Sequence, residues 1–505
     1  MKYGAIAAGS KESVETAKQI FSDGGNAFDA GVAAVFTSMT SEFALTGAGG
    51  GGIMLGMDAN NHPMIYDFFV DCPKLSKNKI DFQKISVDFG NTIQDFYIGK
   101  GSTAIPGNIA GLLDIHSKKG VLPLNAILEP AIDIAKNGVK LSKYQDYINY
   151  LVKPILLHSK EGNKLFTKNN RFLKEGDTFK NPNFAEFLSL LSRYGKKFFY
   201  KGEGAEVIHN FYHSSGYINK KELSNYKMQI RKPISINIGE YQIITNPAPS
   251  YGGTLMIFML NLLKNSNHLN PNIIQLVKAM ELTSMARHEV CNTPNNEMEI
   301  NSVLDKKICN KYLELFNDDN ILGNTSKLSG FGSTTHISII DKSNNIFSVT
   351  TTNGEGCGHF IPEFGIMMNN MLGEQDLNPY GFHKWTMQRR LPTMICPTII
   401  FKNKKPLYIL GSGGSNRIRS AITQVLLNLI IKKLPLEQAI NAPRIHLEGK
   451  ELYSEPGIEI PNYKYFDNIK MTPFEDKSLF FGGVNCVSPN EAIGDFRRGG
   501  VGEVF

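Results

Sequence analysis

The chain has 505 residues, 42% of them apolar and 20% charged, an ordinary balance for a globular protein with a large buried core. Its formal charge of +7 is a weak bias over that length. The basic residues are scattered, often in pairs such as Lys404-Lys405 and Lys432-Lys433, and no basic stripe is interleaved with aromatics. That argues against a nucleic-acid partner and for a solvated surface. At about 150 residues per domain the length suggests roughly three domains, although large α/β folds often run longer as one unit.

The six cysteines (Cys72, Cys291, Cys309, Cys357, Cys396 and Cys486) include no C-x-x-C pair. Zinc and thioredoxin-like redox sites are therefore unsupported, and the spacing suits reduced thiols. Met1 leads into Tyr3-Gly4-Ala5-Ile6 without the basic start and apolar run of a signal peptide. The longest apolar run, residues 254–263, is too short to span a bilayer and carries Asn261. The expectation is a soluble, cytoplasmic protein with no membrane partner.

Residues 1–60 read as strand, helix, helix, glycine loop, strand. Val14, Ala17, Ile20 and Phe21 share one helical face, and Asp23-Gly24-Gly25-Asn26 stops that helix. Phe28 opens a second, mostly apolar helix expected to be buried, followed by glycines between positions 47 and 52 and a strand from Ile53. Residues 100–330 read as largely helical. Pro106-Gly107 opens a helix with Ile109, Leu112, Leu113 and His116 on one side, and that lone histidine is taken as structural. A turn at 247–253 precedes another apolar helix, while 265–272 and 292–298 read as polar loops. No internal repeat is visible.

The character changes near residue 320. Residues 323–332 form a small-residue linker, and the chain is strand-rich after Ser333. Strands at 336–340 and 346–350 flank the polar run 341–345, a hairpin signal with a five-residue loop. A second hairpin is expected from strands at 398–401 and 407–410 around a loop at 402–406.

The first hairpin is centred on Ser343. In a symmetric pair without a bulge, Thr352 lies opposite Thr334, because each is nine positions from the centre. A hydroxyl needs a base to become a nucleophile at neutral pH. If the Ser333–Thr334 bond breaks, Thr334 gains an α-amine with a reference pKa of about 7.7–8.0, near the optimum for a general base. The bland reading of residues 333–336 is a hydroxyl-rich entry to an exposed strand. The turn Gly411-Ser412-Gly413-Gly414-Ser415-Asn416 leads into a helix with apolar Ile418, Ala421, Ile422, Val425 and Leu426. Such a turn exposes backbone N–H groups suited to negative charge, as in an oxyanion hole. A phosphate loop would end in G-K-[ST], which is missing. Gly47-x-Gly49-x-x-Gly52 with Asp67 matches a dinucleotide fingerprint, but the glycines lead into a strand where that motif requires a helix.

Taken together, these residues resemble the γ-glutamyltranspeptidase family over nearly the whole chain. The resemblance is carried in order by Gly24-Gly25-Asn26-Ala27-x-Asp29-Ala30, Gly49 to Gly52, Ile105-Pro106-Gly107, Pro247-x-Pro249-Ser250-x-Gly252-Gly253, Thr334-Thr335-His336, Gly365 to Asn370 and Asn441-Ala442-Pro443-Arg444. It implies an α/β fold, a four-layer αββα N-terminal-nucleophile hydrolase sandwich with additional helices. It implies self-cleavage into a large chain, 1–333, and a small catalytic chain, 334–505, which stay associated in one structural domain. It further implies Thr334 as nucleophile, Thr352 as its orienting partner and Gly413 and Gly414 as oxyanion donors, with Ser415 able to supply an N–H. Asn353, Glu355, Glu374, Thr393 and Ser415 are the substrate-binding candidates. No metal or organic cofactor is implied, and self-association into a homo-oligomer is left open.

The departures fall at the substrate. The family usually carries an Asp-Phe-Arg sequence whose arginine grips a substrate α-carboxylate; this chain has Asp67-Phe68-Phe69. The paired serines of the family are here Thr393-Met394, and an amide that helps bind the α-amino group is replaced by Met371, with Glu374 keeping an acid nearby. Arg390 is the candidate substitute cation. The expected activity is hydrolysis or acyl transfer on a small-molecule γ-glutamyl compound such as glutathione, or on a related acyl amide. The alternatives are an acylase of the same fold with a non-glutamyl substrate, a nucleotide-dependent oxidoreductase, and an uncleaved, inactive binding protein.

Overall fold

A computed structural model describes residues 3–60, 62–75, 79–88, 93–291, 293, 296–318, 333–387 and 389–505. The linker expected at 323–332 lies outside these residues. The opening follows the sequence reading: strand Gly4–Ala8, helices Lys11–Ser22 and Ala27–Ser41, strand Gly51–Met57. Ser10 caps the first helix by accepting from the Ser13 amide, and Val14, Ala17, Ile20 and Phe21 are buried. Asn26 and Asp29 form a reciprocal capping box on the second helix, whose residues are all buried. A helix without a polar face belongs inside, and this one lies under a sheet.

Among the described residues, seven strands pair in the order Gln229–Arg231, Met64–Phe68, Gly51–Met57, Ile346–Thr352, Thr335–Asp341, Gly4–Ala8, Val501–Val504. Six more pair as Ile234–Ile238, Tyr241–Thr245, Thr398–Lys402, Lys405–Gly413, Gly483–Val487, Ala492–Ile493. Both sheets are antiparallel. They stack face to face, strand Thr335–Asp341 lying against Lys405–Gly413 and Gly483–Val487. Helix Ala27–Ser41 covers the first sheet, and helices Tyr251–Asn265 and Arg417–Ile430 cover the second, giving four layers. Strand alternation sorts the side chains. Ile337 and Ile339 join the helix-facing core, while Ile340 joins Ala5, Ile53, Ile399 and Ile409 between the sheets. Thr334, His336 and Ser338 share the parity of Ile340 and so face the second sheet.

Three expectations need correction. The second hairpin turns on two residues, Asn403 and Lys404, both with positive φ, and pairing resumes at Lys402 with Lys405. The polar, Pro-containing run 402–406 hid this tight turn, and a bulge at Ile400/Phe401 shifts the register. Region 100–330 is not uniformly helical: strands Gln229–Arg231, Ile234–Ile238 and Tyr241–Thr245 add edges to the two sheets. Ile234, Ile236 and Ile238 alternate with Ser235 and Asn237, the period-2 signal of a strand. The expected loop 292–298 contains the start of helix Glu297–Ser302, capped by Asn296.

Two smaller readings are settled by contacts. The His116 ring bonds the Leu122 carbonyl at 2.9 Å, a structural role. The glycines of the dinucleotide fingerprint enter strand Gly51–Met57, and Asp67 sits on the neighbouring strand opposite Ile53, bonded to Arg231 at 2.8 Å. No phosphate-binding helix follows those glycines, so the oxidoreductase reading fails. No helix among the described residues is long and apolar enough to cross a membrane.

Candidate active site

The hairpin Thr335–Asp341/Ile346–Thr352 builds the site. Its turn is fixed by Asp341, whose carboxylate accepts from the Ser343 and Asn345 amides at 2.8 and 2.9 Å and from the Ala27 amide at the buried helix's start. The register is unbroken, from Ile340 opposite Ile346 to Thr335 opposite Thr351. One step further along, Thr352 faces Thr334. The Thr352 hydroxyl accepts from the Gly354 amide at 3.0 Å and donates to the Ser333 carbonyl at 2.5 Å. With one lone pair held by Gly354, the hydroxyl proton points at the carbonyl of the Ser333–Thr334 bond. Ser333, Thr334 and Thr352 are all buried.

The second sheet approaches from below. A Cβ on Gly413 would meet the Thr334 carbonyl oxygen at 2.1 Å, and one on Gly411 would meet the His336 ring at 2.3 Å. Glycine at both positions is what lets the two sheets close here. Arg498 Nη1 donates to the Thr334 carbonyl at 3.4 Å. Gly414 and Ser415 turn the chain with φ of +122° and +49° into helix Arg417–Ile430. Among the described residues the Gly414 and Ser415 amides meet no protein acceptor. They lie at a helix N-terminus directly after Gly413, which approaches the Thr334 carbonyl, a position suited to a developing oxyanion.

Acids gather on the other side. The amides of Glu355 and Gly356 donate to Asn370 Oδ1 at 2.9 and 3.2 Å. Burial raises the Glu355 carboxyl to about 8, and burial together with Glu355 and Asp376 raises Glu374 well above the usual range. Asp376 is raised to about 6 by burial and by Glu448. The Ser415 hydroxyl donates to Asp376 at 2.5 Å, and Arg287 donates to the Asp376 carbonyl at 2.8 Å. On the opposite strand face, Thr335 donates to Glu42 at 2.8 Å, and burial raises Glu42 to about 8. His336 is held neutral by burial, its pKa lowered to about 3.

Of the sequence candidates, Ser333, Thr334 and Thr352 meet at the 333–334 peptide bond, and Gly413 lies against the next carbonyl, that of Thr334, with Gly414 and Ser415 in the adjoining turn. Asn353 donates to the Met367 carbonyl at 3.0 Å, and Glu374 lies against Gly354. Thr393 is buried; its carbonyl takes the Tyr251 amide at 2.8 Å and the Ser250 hydroxyl at 2.8 Å, and its hydroxyl takes the Ile395 amide. Ser415's side chain is committed to Asp376, so only its backbone is free for an oxyanion. Arg390 is not a spare cation: it is buried and bonded to Phe69's carbonyl, Tyr226 and Lys227, beside Asp67 and Asp71. Sequence reasoning missed Asp376, Glu42, Asn370 and Arg498. Asp376 sits two positions after Glu374 and Asn370 ends the Gly365–Asn370 segment; Glu42 and Arg498 carry no local signal.

Two stacked antiparallel sheets between helical layers are the αββα architecture of N-terminal-nucleophile hydrolases. The solved cephalosporin acylase from Bacillus halodurans has the same fold, with a TM-score of 0.84 at 20% identity, covering 100% of this chain and 96% of that one. The chain belongs to the γ-glutamyltranspeptidase family, whose profile, described as Gamma-glutamyltranspeptidase, matches residues 13–503. It is 28% identical to Glutathione hydrolase 2 of Arabidopsis thaliana over 473 residues, 88% of this chain and 80% of that protein. It is 27% identical to the Capsule biosynthesis protein CapD proenzyme of Bacillus anthracis over 505 residues, 96% of this chain and 88% of that one.

Proposed function

We propose that this chain cuts itself between Ser333 and Thr334 and then works as an amidase or acyltransferase through an acyl-Thr334 ester. The observation that carries the reading is the Thr352 hydroxyl bonded to the Ser333 carbonyl across the strand pair from Thr334. In the uncut chain that bond draws electron density from the carbonyl carbon. Thr334 Oγ attacks the carbon, the C–N bond breaks as the nitrogen takes a proton, and an ester joins Ser333 to Thr334. Water then hydrolyses the ester, leaving a Ser333 carboxylate and a Thr334 with free amine and hydroxyl.

In the mature enzyme the α-amine of Thr334 serves as the base, and Thr352, released from Ser333, orients the hydroxyl. The Gly413-Gly414-Ser415 turn supplies N–H groups to the tetrahedral intermediate. The two products, 1–333 and 334–505, stay together as one structural domain, because strand Thr335–Asp341 pairs with Gly4–Ala8 and strand Ile346–Thr352 pairs with Gly51–Met57.

The substrate is a small γ-glutamyl compound or a related acyl amide, with Glu374 and Thr393 at the acyl end. A second reading, an acylase for acyl groups without an α-carboxylate, is favoured by Phe69. Its side chain is packed in the apolar layer between the sheets where the family carries an arginine. Six cysteines, none in a disulfide, suit a reducing, cytoplasmic compartment. The test compares γ-glutamyl, glutaryl and carboxyl-blocked γ-glutamyl anilides on cut protein, with mass spectrometry of the small chain to catch an acyl adduct on Thr334. Turnover of the carboxyl-blocked compound as fast as the plain one supports the acylase reading. A wide preference for the plain compound supports the γ-glutamyl reading. No adduct and no turnover with any of them overturns the proposed chemistry.

A further inference from the structure

Two adjacent arginines close the short 3-10 turn Phe496–Arg498, and they are used differently. Arg497 is held in ion pairs, 2.6 Å from Glu455 and 3.2 Å from Asp495. Arg498, 6% exposed, reaches into the glycine turn of the active site. Its Nη1 donates to the Thr334 carbonyl at 3.4 Å and its Nη2 to the Leu479 carbonyl at 3.2 Å. The guanidinium is seated among glycines. A Cβ on Gly413 would lie 3.1 Å from Nη1, one on Gly414 3.2 Å from Nη2, and one on Gly483 2.6 Å from Cδ.

This contact does not involve the bond that breaks, because the Thr334 carbonyl belongs to the peptide with Thr335. Within one residue the nitrogen lies no more than about 3.6 Å from the carbonyl oxygen, so the cation sits within roughly 7 Å of the nitrogen that becomes the α-amine. Most titratable groups around it are neutral or paired. Asp495 is held by Arg444 at 2.7 Å as well as by Arg497, and Arg417 lies 3.5 Å from Glu448. Burial keeps the Tyr144 hydroxyl, packed against Gly499, neutral, and raises Glu42, under Thr335, to about 8. Burial also keeps His336 neutral. On the far side Glu355 and Glu374 are raised in the same way, so of the acids there Asp376, at about 6, is the one charged at neutral pH, and it is tied to Ser415. Burial lowers the proton affinity of Arg498 as well, yet a guanidinium starts so high that it stays a cation.

We propose that Arg498 is a positioning residue for the catalytic base: its fixed positive charge disfavours protonation of the Thr334 α-amine, leaving that amine free to take the hydroxyl proton at neutral pH. An ordinary α-amine titrates at about 7.7–8.0 and is mostly protonated at neutrality. A nearby buried cation moves the midpoint down to about pH 7, where half the molecules carry the free base. The inference rests on the reading that the chain cuts at 333–334.

The test titrates the amine directly on cut protein. Trace acetic anhydride is applied across neutral and alkaline pH, and acetylation of the Thr334 amine is read by mass spectrometry of the small chain's first peptide. Only molecules that begin at Thr334 are counted, so a variant that cuts slowly is still measured. Arg498→Gln keeps a donor for the Thr334 carbonyl and loses the charge; Arg498→Lys keeps the charge. Wild type is expected to titrate near about pH 7, Arg498→Lys close to it, and Arg498→Gln about one pH unit higher. A purely structural arginine would disturb both variants without separating them by charge. Arg498→Gln titrating with wild type overturns the inference, as does a wild-type amine in the ordinary range or one that no reagent reaches. Should Arg498→Gln not fold, Arg498→Met takes its place; should neither yield cut chain, the wild-type midpoint decides by the same criterion. Wild type failing to cut at 333–334 defeats the underlying reading, whereas cut wild type with an ordinary amine defeats this inference alone.

Discussion

At the Ser333–Thr352 junction, the Thr352 hydroxyl bonds the Ser333 carbonyl and the glycine turn lies against the next carbonyl, that of Thr334. At the knot around Arg390, most polar groups pair with one another, although Arg390 Nε and Asp71 Oδ1 have no hydrogen-bond partner among the described residues. Arg390 bonds Tyr226 at 2.7 Å and the Lys227 carbonyl at 2.8 Å, lies 3.3 Å from Asp67 and 3.2 Å from Asp71, and stacks on Tyr226. Both regions are buried and hydrogen-bonded, so burial does not tell a reactive site from a structural one. What differs is the partner: a main-chain carbonyl in the first, the carboxylates of Asp67 and Asp71 in the second. Phe69 itself is packed in the apolar layer between the sheets.

The comparison breaks first at Thr334. Thr334→Ala should leave the chain a single uncut band, because no hydroxyl remains to attack Ser333; a cut variant would move the nucleophile elsewhere. Thr352→Ala comes next. It should slow both cutting and turnover by on the order of ten- to a hundredfold through lost orientation. Stability should fall by only about 1 kcal/mol, the worth of a buried hydroxyl contact. Denaturant melts alongside cleavage time courses separate the two effects, and Thr352→Ser should recover most of the rate.

Arg390→Met sharpens the other side. Removing one partner of a buried ion cluster should cost about 3–5 kcal/mol in a denaturant titration. Among the molecules that fold, KM for γ-glutamyl and carboxyl-blocked anilides should move together. A selective rise for the carboxylate-bearing compound would turn the knot into a binding site.

The smallest effect concerns Glu42, under Thr335. Its folded pKa is raised to about 8 from an ordinary 4.5, so the folded state holds a proton that the unfolded chain gives up. Its contribution to stability is therefore complete below pH 4.5 and is lost as the pH rises toward about 8. Glu42→Gln keeps the acceptor for Thr335 and removes the titration. Its melting temperature should gain on wild type between pH 5 and pH 8, and parallel pH profiles would rule the group out.

The hairpin was legible because its turn is symmetric about Ser343 and neither strand bulges, so counting alone placed Thr352 opposite Thr334. The same counting failed at 402–406, where two positive-φ residues make a tighter turn and a bulge follows. The glycines at 411 and 413 read as a helix-entry loop; their closeness to His336 and the Thr334 carbonyl depends on the sheet stacking. Glu42 and Thr335 are 293 positions apart, and no local pattern links a helix end to a distant strand. Phe69 was visible as a departure, but the closed ion pairs that occupy Arg390 emerge only when Asp67, Asp71 and Tyr226 are brought together.

The most direct measurement is N-terminal sequencing with intact mass of the purified protein. The account expects two chains, the smaller beginning Thr334-Thr335-His336 and holding 172 residues, 505 minus 333. An active protein that remains one 505-residue chain, or a small chain that begins elsewhere, would contradict it.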